Sequence, residues 1–141
     1  MAKVYRFLTA LFLSGVFGQA ISAAQKSCDS LAGLALANTR ITLAQSVPAG
    51  AFVPPSSSAP PMGPPANYKD VPEFCRVVAE LTPTADSDIK IEVWMPTAGW
   101  NDKYRGQGNG GFVGTIDYPG LGAAVKRGYA TAGTDTGHSD R

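Results

Sequence analysis

Histidine and cysteine are scarce in this sequence, with one histidine and two cysteines among 141 residues. No Cys/His group has the spacing of a zinc site, so we predict neither a metal nor a cofactor. The formal net charge is only +1 and no basic stripe occurs, which gives no electrostatic support for nucleic-acid binding. The serine-nucleophile motif Gly-x-Ser-x-Gly is also missing.

A long hydrophobic run is missing as well. The apolar stretch Phe7–Phe17 falls short of the about 20 residues that a membrane-spanning helix needs. Lys3 and Arg6 precede it, and the small residues Ser22-Ala23-Ala24 follow it. This order is typical of a secretory signal peptide rather than of a membrane anchor. We therefore predict a signal at 1–24, a protein exported to the extracellular space or periplasm, and no membrane attachment after cleavage.

The two cysteines are interpreted in the light of that export. In an oxidising compartment Cys28 and Cys75 can form a disulfide, which we favour because the count is even. A closed loop of this size stabilises by about 4 kcal/mol in the chain-entropy model. The alternatives are pairing with cysteines outside this chain, or free thiols.

The first half of the chain predicts strands and loops, in keeping with its 16 glycines and 11 prolines. Cys28–Asn38 has a short helical pattern, and Thr39–Ser46 alternates like a strand. Val47–Pro65 is rich in proline and is expected to be an exposed extended loop. Phe74–Leu81 and Ile89–Met95 are rich in β-forming residues and predict an antiparallel hairpin.

Tryptophan is a candidate for binding an aromatic substrate, but packing on the sheet is the commoner role. We favour packing for Trp94 and Trp100. Alternation along the second hairpin strand separates two faces, one with Lys90, Glu92 and Trp94 and the other with Ile89, Ile91, Val93 and Met95.

The second half predicts a strand, a loop, a helix and a strand. Lys103–Gln107 can form a strand, Gly108–Gly114 cannot be regular, and Leu121–Arg127 is a short helix ending at Gly128. Tyr129–Ala132 is the last strand, and no helix follows to cover it. The fold class is therefore α/β, with an antiparallel hairpin leading into a mostly parallel sheet. We expect 25–141 to be part of one domain and to be poorly stable alone.

The glycine loop has two functional interpretations besides an ordinary turn. Gly106-x-Gly108-x-x-Gly111 matches the dinucleotide-binding fingerprint, and Asp135 lies near the position of a ribose-binding acid. The preceding Asp102-Lys103-Tyr104-Arg105 is polar, however, and the helix begins beyond Pro119, too late to bind a pyrophosphate. The loop can instead supply a backbone N–H to the oxyanion of ester hydrolysis, which needs two such donors.

Five sequence blocks favour the oxyanion interpretation. Their order and spacing over about 65 residues resemble the start of the tannase and feruloyl esterase family of secreted α/β-hydrolases. The blocks are Phe74-Cys75-Arg76-Val77, the strand Ser87–Pro96, Gly99-Trp100-Asn101-x-Lys103, Gly106-x-Gly108-Asn109-Gly110-Gly111, and Arg127–Ala132 with Thr134–His138.

The resemblance implies hydrolysis of phenolic-acid esters, such as galloyl or feruloyl esters, by a serine carboxylesterase. It implies that the N–H of Gly111 donates to the oxyanion, that Gly110 lines the same pocket, and that Cys28 bridges to Cys75. The family's nucleophile lies in a downstream Cys-Ser-x-Gly-Gly motif that these 141 residues do not contain. We therefore expect an N-terminal portion that is inactive alone. A dinucleotide-binding oxidoreductase and a secreted non-catalytic binding module remain alternatives.

The single histidine, His138, invites a catalytic interpretation because Asp135 and Ser139 lie close in sequence. Three polar residues at one strand end cannot easily form a triad, so we predict a structural hydrogen-bonding role. Asp135-Thr136-Gly137 also spells the aspartic-protease triplet, but that site needs apolar flanks and a second Asp-containing lobe, and the flanks Gly133-Thr134 and His138-Ser139-Asp140 do not fit it.

Overall fold

The computed structural model describes residues 27–55, 66–111 and 114–138. The predicted signal at 1–24 and residues 56–65 of the proline-rich stretch lie outside them. Among the described residues, no helix is long and apolar enough to cross a membrane. The elements are a 3-10 helix (Cys28–Gly33), β1 (Thr39–Val47), β2 (Phe74–Leu81), β3 (Ile89–Pro96), β4 (Tyr104–Gln107), α1 (Tyr118–Lys126) and β5 (Ala130–Thr134).

Three antiparallel strands form the first part of the sheet. β1 pairs with β2, and β2 pairs with β3 so that Val77 lies opposite Val93. The pairing of β2 with β3 confirms the predicted hairpin. Both strands carry β-branched residues, which suit a pleated surface. The short helix predicted after Cys28 is a single 3-10 segment.

A parallel pair completes the sheet, whose strand order is β1-β2-β3-β5-β4. β4 runs parallel to β5, with Gly106 opposite Ala132, and β5 runs antiparallel to β3. The antiparallel hairpin does lead into a parallel pair, as predicted. The sheet is mixed rather than mostly parallel, because β4–β5 is the one parallel pair among the described strands.

Helix α1 connects the two parallel strands and begins earlier than predicted. The carboxylate of Asp117 accepts a hydrogen bond from the backbone N–H of Gly120 at 3.1 Å and so caps the first turn. Pro119 in that turn needs no hydrogen-bond partner for its nitrogen, so it starts the helix instead of preceding it. The helix ends before Gly128, whose φ of 78° suits the predicted C-terminal position.

The expectation that the last strand lacks cover is wrong. β5 lies between β3 and β4, and α1 packs on it: a Cβ built on Gly133 would lie 3.6 Å from a methyl of Leu121. The helix that precedes β5 in sequence covers it, because a crossover connection returns over the sheet. The edge strands of the sheet are instead β1 and β4, and on β4 Tyr104 is 64% exposed.

An aromatic cluster forms the core beside the sheet. Phe74 and Trp94 stack with ring centroids 4.2 Å apart, and Phe52 contacts Trp94 at 4.5 Å. The described part of Val47–Pro65 is mostly exposed, as expected, but Phe52 is only 6% exposed and Val47, the last residue of β1, is also buried. A large aromatic side chain buries enough apolar surface to hold an irregular segment on the core.

The two faces of β3 alternate as predicted, and the buried face is the one that carries Glu92 and Trp94. Packing of Trp94 is confirmed, since its side chain is fully buried. Trp100 lies on the surface, and its Nε1 donates to the carbonyl of Lys103 at 3.1 Å.

The predicted disulfide between Cys28 and Cys75 is formed, with the two Cα atoms 5.5 Å apart. It ties the 3-10 helix to the buried start of β2, a link that no backbone pairing provides.

Candidate functional site

The candidate site lies at the carboxyl ends of β4 and β5. Gly108–Gly114 follows β4 and Asp135–His138 follows β5, and the carboxyl ends of parallel strands meet at one edge of a sheet. This edge is where open α/β sheets bind their ligands. The elements therefore bring the glycine loop and the turn after β5 together.

The glycines of the loop are open to solvent. Gly110 and Gly111 are exposed, and a Cβ built on either one would meet no atom within 4 Å. Gly111 has a φ of 63°, in the left-handed region that favours glycine. Residues 112 and 113 lie outside the described residues. The backbone at Gly110 and Gly111 is therefore accessible to a small molecule from outside.

Asn109 anchors the start of the loop. Its side-chain Nδ2 donates to the backbone carbonyl of Thr134, the last residue of β5, at 3.0 Å. A weaker contact of 3.5 Å reaches Oγ1 of Thr136. Sequence reasoning missed this residue, because an asparagine between glycines is equally typical of an ordinary turn.

The end of the loop lies against His138. Gly114 is buried, and a Cβ at this position would lie 2.3 Å from the carbonyl oxygen of His138, so only glycine fits. Nδ1 of the His138 ring lies 3.2 Å from Oγ1 of Thr136, within hydrogen-bond distance. This arrangement agrees with the predicted structural role.

The carboxylate of Asp135 is occupied by the backbone. Its Oδ1 accepts from the N–H of Lys90 at 2.8 Å and from the N–H of Gly137 at 2.9 Å. Its own N–H donates to the carbonyl of Lys90 at 3.1 Å. Asp135 thus orders the turn after β5 and joins it to β3, which argues against a ribose-binding, triad or aspartic-protease role.

The position of helix α1 also argues against the dinucleotide interpretation. A pyrophosphate needs a helix that opens at the third glycine. Here α1 begins only at Tyr118, well beyond Gly111, and Asp117 already accepts from the first turn.

Two polar side chains on the elements that flank the loop in sequence, β4 and α1, were not predicted. Nε2 of Gln107, at the end of β4, is buried and has no hydrogen-bond partner among the described residues. The hydroxyl of Tyr118, which begins α1, donates to Oε1 of Glu92 at 2.9 Å. Burial raises the pKa of Tyr118, and the negative charge of Glu92 raises it further. Within the described ranges, no group of three or more His, Cys, Asp or Glu side chains could hold a metal ion.

These features define an α/β protein whose candidate ligand site is an open glycine loop at the carboxyl edge of its sheet. Residues 75–141 match the family model described as tannase and feruloyl esterase. This match and the similar proteins confirm the resemblance to the tannase and feruloyl esterase family that the sequence blocks predict.

Individual relatives agree with the family model. The chain is 44% identical over 117 residues to an uncharacterized esterase of Xanthomonas campestris, covering 83% of this chain and 19% of that protein. It is 31% identical over 113 residues to feruloyl esterase C of Talaromyces stipitatus, covering 79% of this chain and 21% of that protein.

A solved structure, feruloyl esterase B from Aspergillus oryzae, superposes with a TM-score of 0.61 at 30% identity, covering 79% of this chain and 21% of that chain. A second, an esterase from the same organism, gives a TM-score of 0.62 at 27% identity, covering 79% of this chain and 22% of that one. The chain thus spans about one fifth of the length of the relatives it matches.

Proposed function

We propose that this chain is the N-terminal part of the α/β-hydrolase domain of a serine carboxylesterase that cleaves phenolic-acid esters such as feruloyl or galloyl esters. The names of its relatives support the esterase class and the feruloyl substrate. The activity belongs to the whole protein, of which these residues supply one half of the oxyanion site.

The open backbone at Gly111 is the observation that carries the proposal. An oxyanion donor must approach the reacting carbonyl closely, which a side chain at this position would hinder. Gly110 and Gly111 have no side chain, are exposed, and lie at the carboxyl edge of the sheet. In the proposed mechanism the N–H of Gly111 donates to the O⁻ of the tetrahedral intermediate, and Gly110 lines the pocket.

The remaining machinery comes from elsewhere in the whole protein. A serine in a Cys-Ser-x-Gly-Gly segment attacks the ester carbonyl, a histidine takes its proton, and the N–H after the serine is the second donor. The purified 141-residue chain should therefore hydrolyse methyl ferulate and methyl gallate no faster than buffer. Serine-dependent turnover by this chain alone would contradict the proposal.

The donor role is tested by Gly111→Pro in the whole esterase. Proline removes the N–H, and loss of one oxyanion donor lowers kcat by about 10²–10³. Proline is also incompatible with a positive φ, so Gly99→Pro is the matched control: Gly99 has a φ of 69° and equally open surroundings, in the connection before β4. Equal activities of the two variants would place the oxyanion site elsewhere.

Export is part of the same proposal. The charged, apolar and small-residue segments at 1–24 support it, as does the disulfide between Cys28 and Cys75. N-terminal sequencing of the protein recovered outside the cytoplasm should begin at Gln25. A mature protein that retains Met1 would argue against cleavage.

A further inference from the structure

We infer that Asn109 is a positioning residue that holds the oxyanion loop in its donating geometry. The inference rests on the proposed function, because it concerns how Gly110 and Gly111 are kept in place. Its basis is the contact between the loop and the end of β5.

The anchor of Asn109 is fixed within the sheet. Its Nδ2 donates at 3.0 Å to the carbonyl of Thr134, and Thr134 itself is paired with Ile91 of β3. The acceptor thus belongs to a central strand rather than to a loop. A rigid acceptor lets one side-chain hydrogen bond determine where the chain leaves β4.

The same turn also holds the far end of the loop. Gly114 lies against the carbonyl of His138 so closely that a Cβ would come within 2.3 Å. The turn before His138 is ordered by the Asp135 carboxylate, which binds the N–H groups of Lys90 and Gly137. The start and the end of the glycine loop are therefore both held by the segment 134–138.

Two of the glycines between these anchors, Gly110 and Gly111, have open surroundings. A Cβ on Gly110 or Gly111 would touch nothing within 4 Å, and glycine has the largest conformational freedom of any residue. Catalysis needs the donor held in place in advance, and a displacement of about 1 Å can lower a rate by about 10². Asn109 immediately precedes Gly110, so its bond is the side-chain constraint nearest to the donor among the described residues of the loop.

The test compares two asparagines in the whole esterase. Asn109→Asp keeps the size of the side chain but replaces the donating NH₂ with an oxygen that repels the Thr134 carbonyl. Asn101→Asp is the matched control: Nδ2 of Asn101 donates to the carbonyl of Arg127 at 2.9 Å, in the segment before β4. Both changes remove one side-chain bond to a backbone carbonyl, and only the first touches the loop.

Steady-state hydrolysis of methyl ferulate and hydrogen exchange of the peptide spanning 106–114 are the readouts. For Asn109→Asp we expect kcat to fall about 10- to 100-fold with KM nearly unchanged, because the lost alignment acts on the transition state. Exchange at Gly110 and Gly111 should accelerate while the unfolding midpoint changes no more than in Asn101→Asp. Asn109→Gln, which keeps the amide donor, should recover part of kcat.

Unchanged kcat and loop exchange in Asn109→Asp would overturn the inference, as would equal losses of kcat in both Asp variants. These results are distinct from failure of the proposed function. If Gly111→Pro is slow and Asn109→Asp is normal, the donor assignment stands and the positioning role is wrong. If Gly111→Pro is normal, the donor assignment itself is wrong, whatever Asn109→Asp does.

Discussion

The guanidinium of Arg76 on β2 holds the carboxylate of Glu92 on β3 with two parallel hydrogen bonds, from Nε at 2.9 Å and from the terminal nitrogen at 2.5 Å. Two more groups donate to the same carboxylate: Nε1 of Trp94 at 2.8 Å and the hydroxyl of Tyr118 at 2.9 Å. Glu92 is only 2% exposed, so its charge is compensated entirely by these donors. The network ties the first residue of α1 to the centre of the sheet.

We predict that Glu92→Gln strongly destabilises the fold. Removing one partner of a buried ion pair leaves the other charge uncompensated and typically costs about 3–5 kcal/mol. Denaturant unfolding of the variant should show this loss. Glu80→Gln is the control, because Glu80 pairs with Arg40 and Lys90 on the exposed surface, where ion pairs contribute little. Similar losses in the two variants would show that the Glu92 network is not the source of the stability.

A second prediction concerns alkaline pH and Tyr118. Its raised pKa means that the folded state holds the hydroxyl proton more tightly than the unfolded chain does. The resulting stability is fully present below the ordinary tyrosine pKa of about 10 and is lost as the pH rises above it. The free energy of unfolding should therefore fall, with Tyr118 contributing up to about 1.4 kcal/mol per pH unit.

Tyr118→Phe should make that alkaline decline shallower, although burial also raises the pKa of Tyr68 and so leaves a remaining slope. Parallel curves for Tyr118→Phe and the wild type would contradict a role of Tyr118 in the pH dependence.

The elements that depend on local pattern were predictable from the sequence. Alternation defined the hairpin, and glycine spacing marked the loop at Gly108–Gly114 as irregular. The burial of Glu92 was not predictable, because its partners Arg76 and Tyr118 lie 16 and 26 residues away and no periodicity connects them. A charged side chain without visible partners is expected at the surface.

Contacts between residues distant in sequence also explain two other features that the sequence did not predict. Phe52 lies in a proline-rich stretch, and contacts with aromatic rings distant in sequence, among them those of Phe74 and Trp94, bring it into the core. Asn109 reaches Thr134 across 25 residues, a contact set by the parallel pairing of β4 and β5. Residues whose role depends on sheet topology are therefore hidden from the sequence, even when the topology itself is anticipated.

The disulfide gives a third prediction. Cys28 and Cys75 are 47 residues apart, and a bridge that closes such a loop stabilises by about 4 kcal/mol in the chain-entropy model. Replacing both residues with serine should lower the free energy of unfolding by about 2–5 kcal/mol. A reducing agent should lower the stability of the wild type to a similar degree and leave the double variant unchanged. An equal effect of the reductant on both would mean that it acts on something other than this bond.

Replacing two glycines around α1 with alanine should change the free energy of unfolding in opposite directions. Gly122 lies within the helix and lines a cavity of about 180 Å³ beside Tyr68 and Val71; a Cβ there would lie 3.4 Å from a methyl of Val71, at ordinary contact distance. Gly122→Ala should therefore stabilise the fold by about 0.5–1 kcal/mol, through better helix propensity and added packing.

Gly128→Ala should destabilise it instead. Gly128 has a φ of 78°, and a Cβ there would lie 2.6 Å from the carbonyl oxygen of Gly99, a backbone atom that cannot easily move away. The strained left-handed conformation alone costs about 1–2 kcal/mol for a residue with a side chain, and the close contact adds to it.

Denaturant unfolding of the two alanine variants under the same conditions measures both effects. Because both replace glycine with alanine, they share the entropic effect on the unfolded chain, so a difference in sign must come from the folded state. If both variants moved in the same direction, the space beside Gly122 or the close approach at Gly128 would be wrongly assigned.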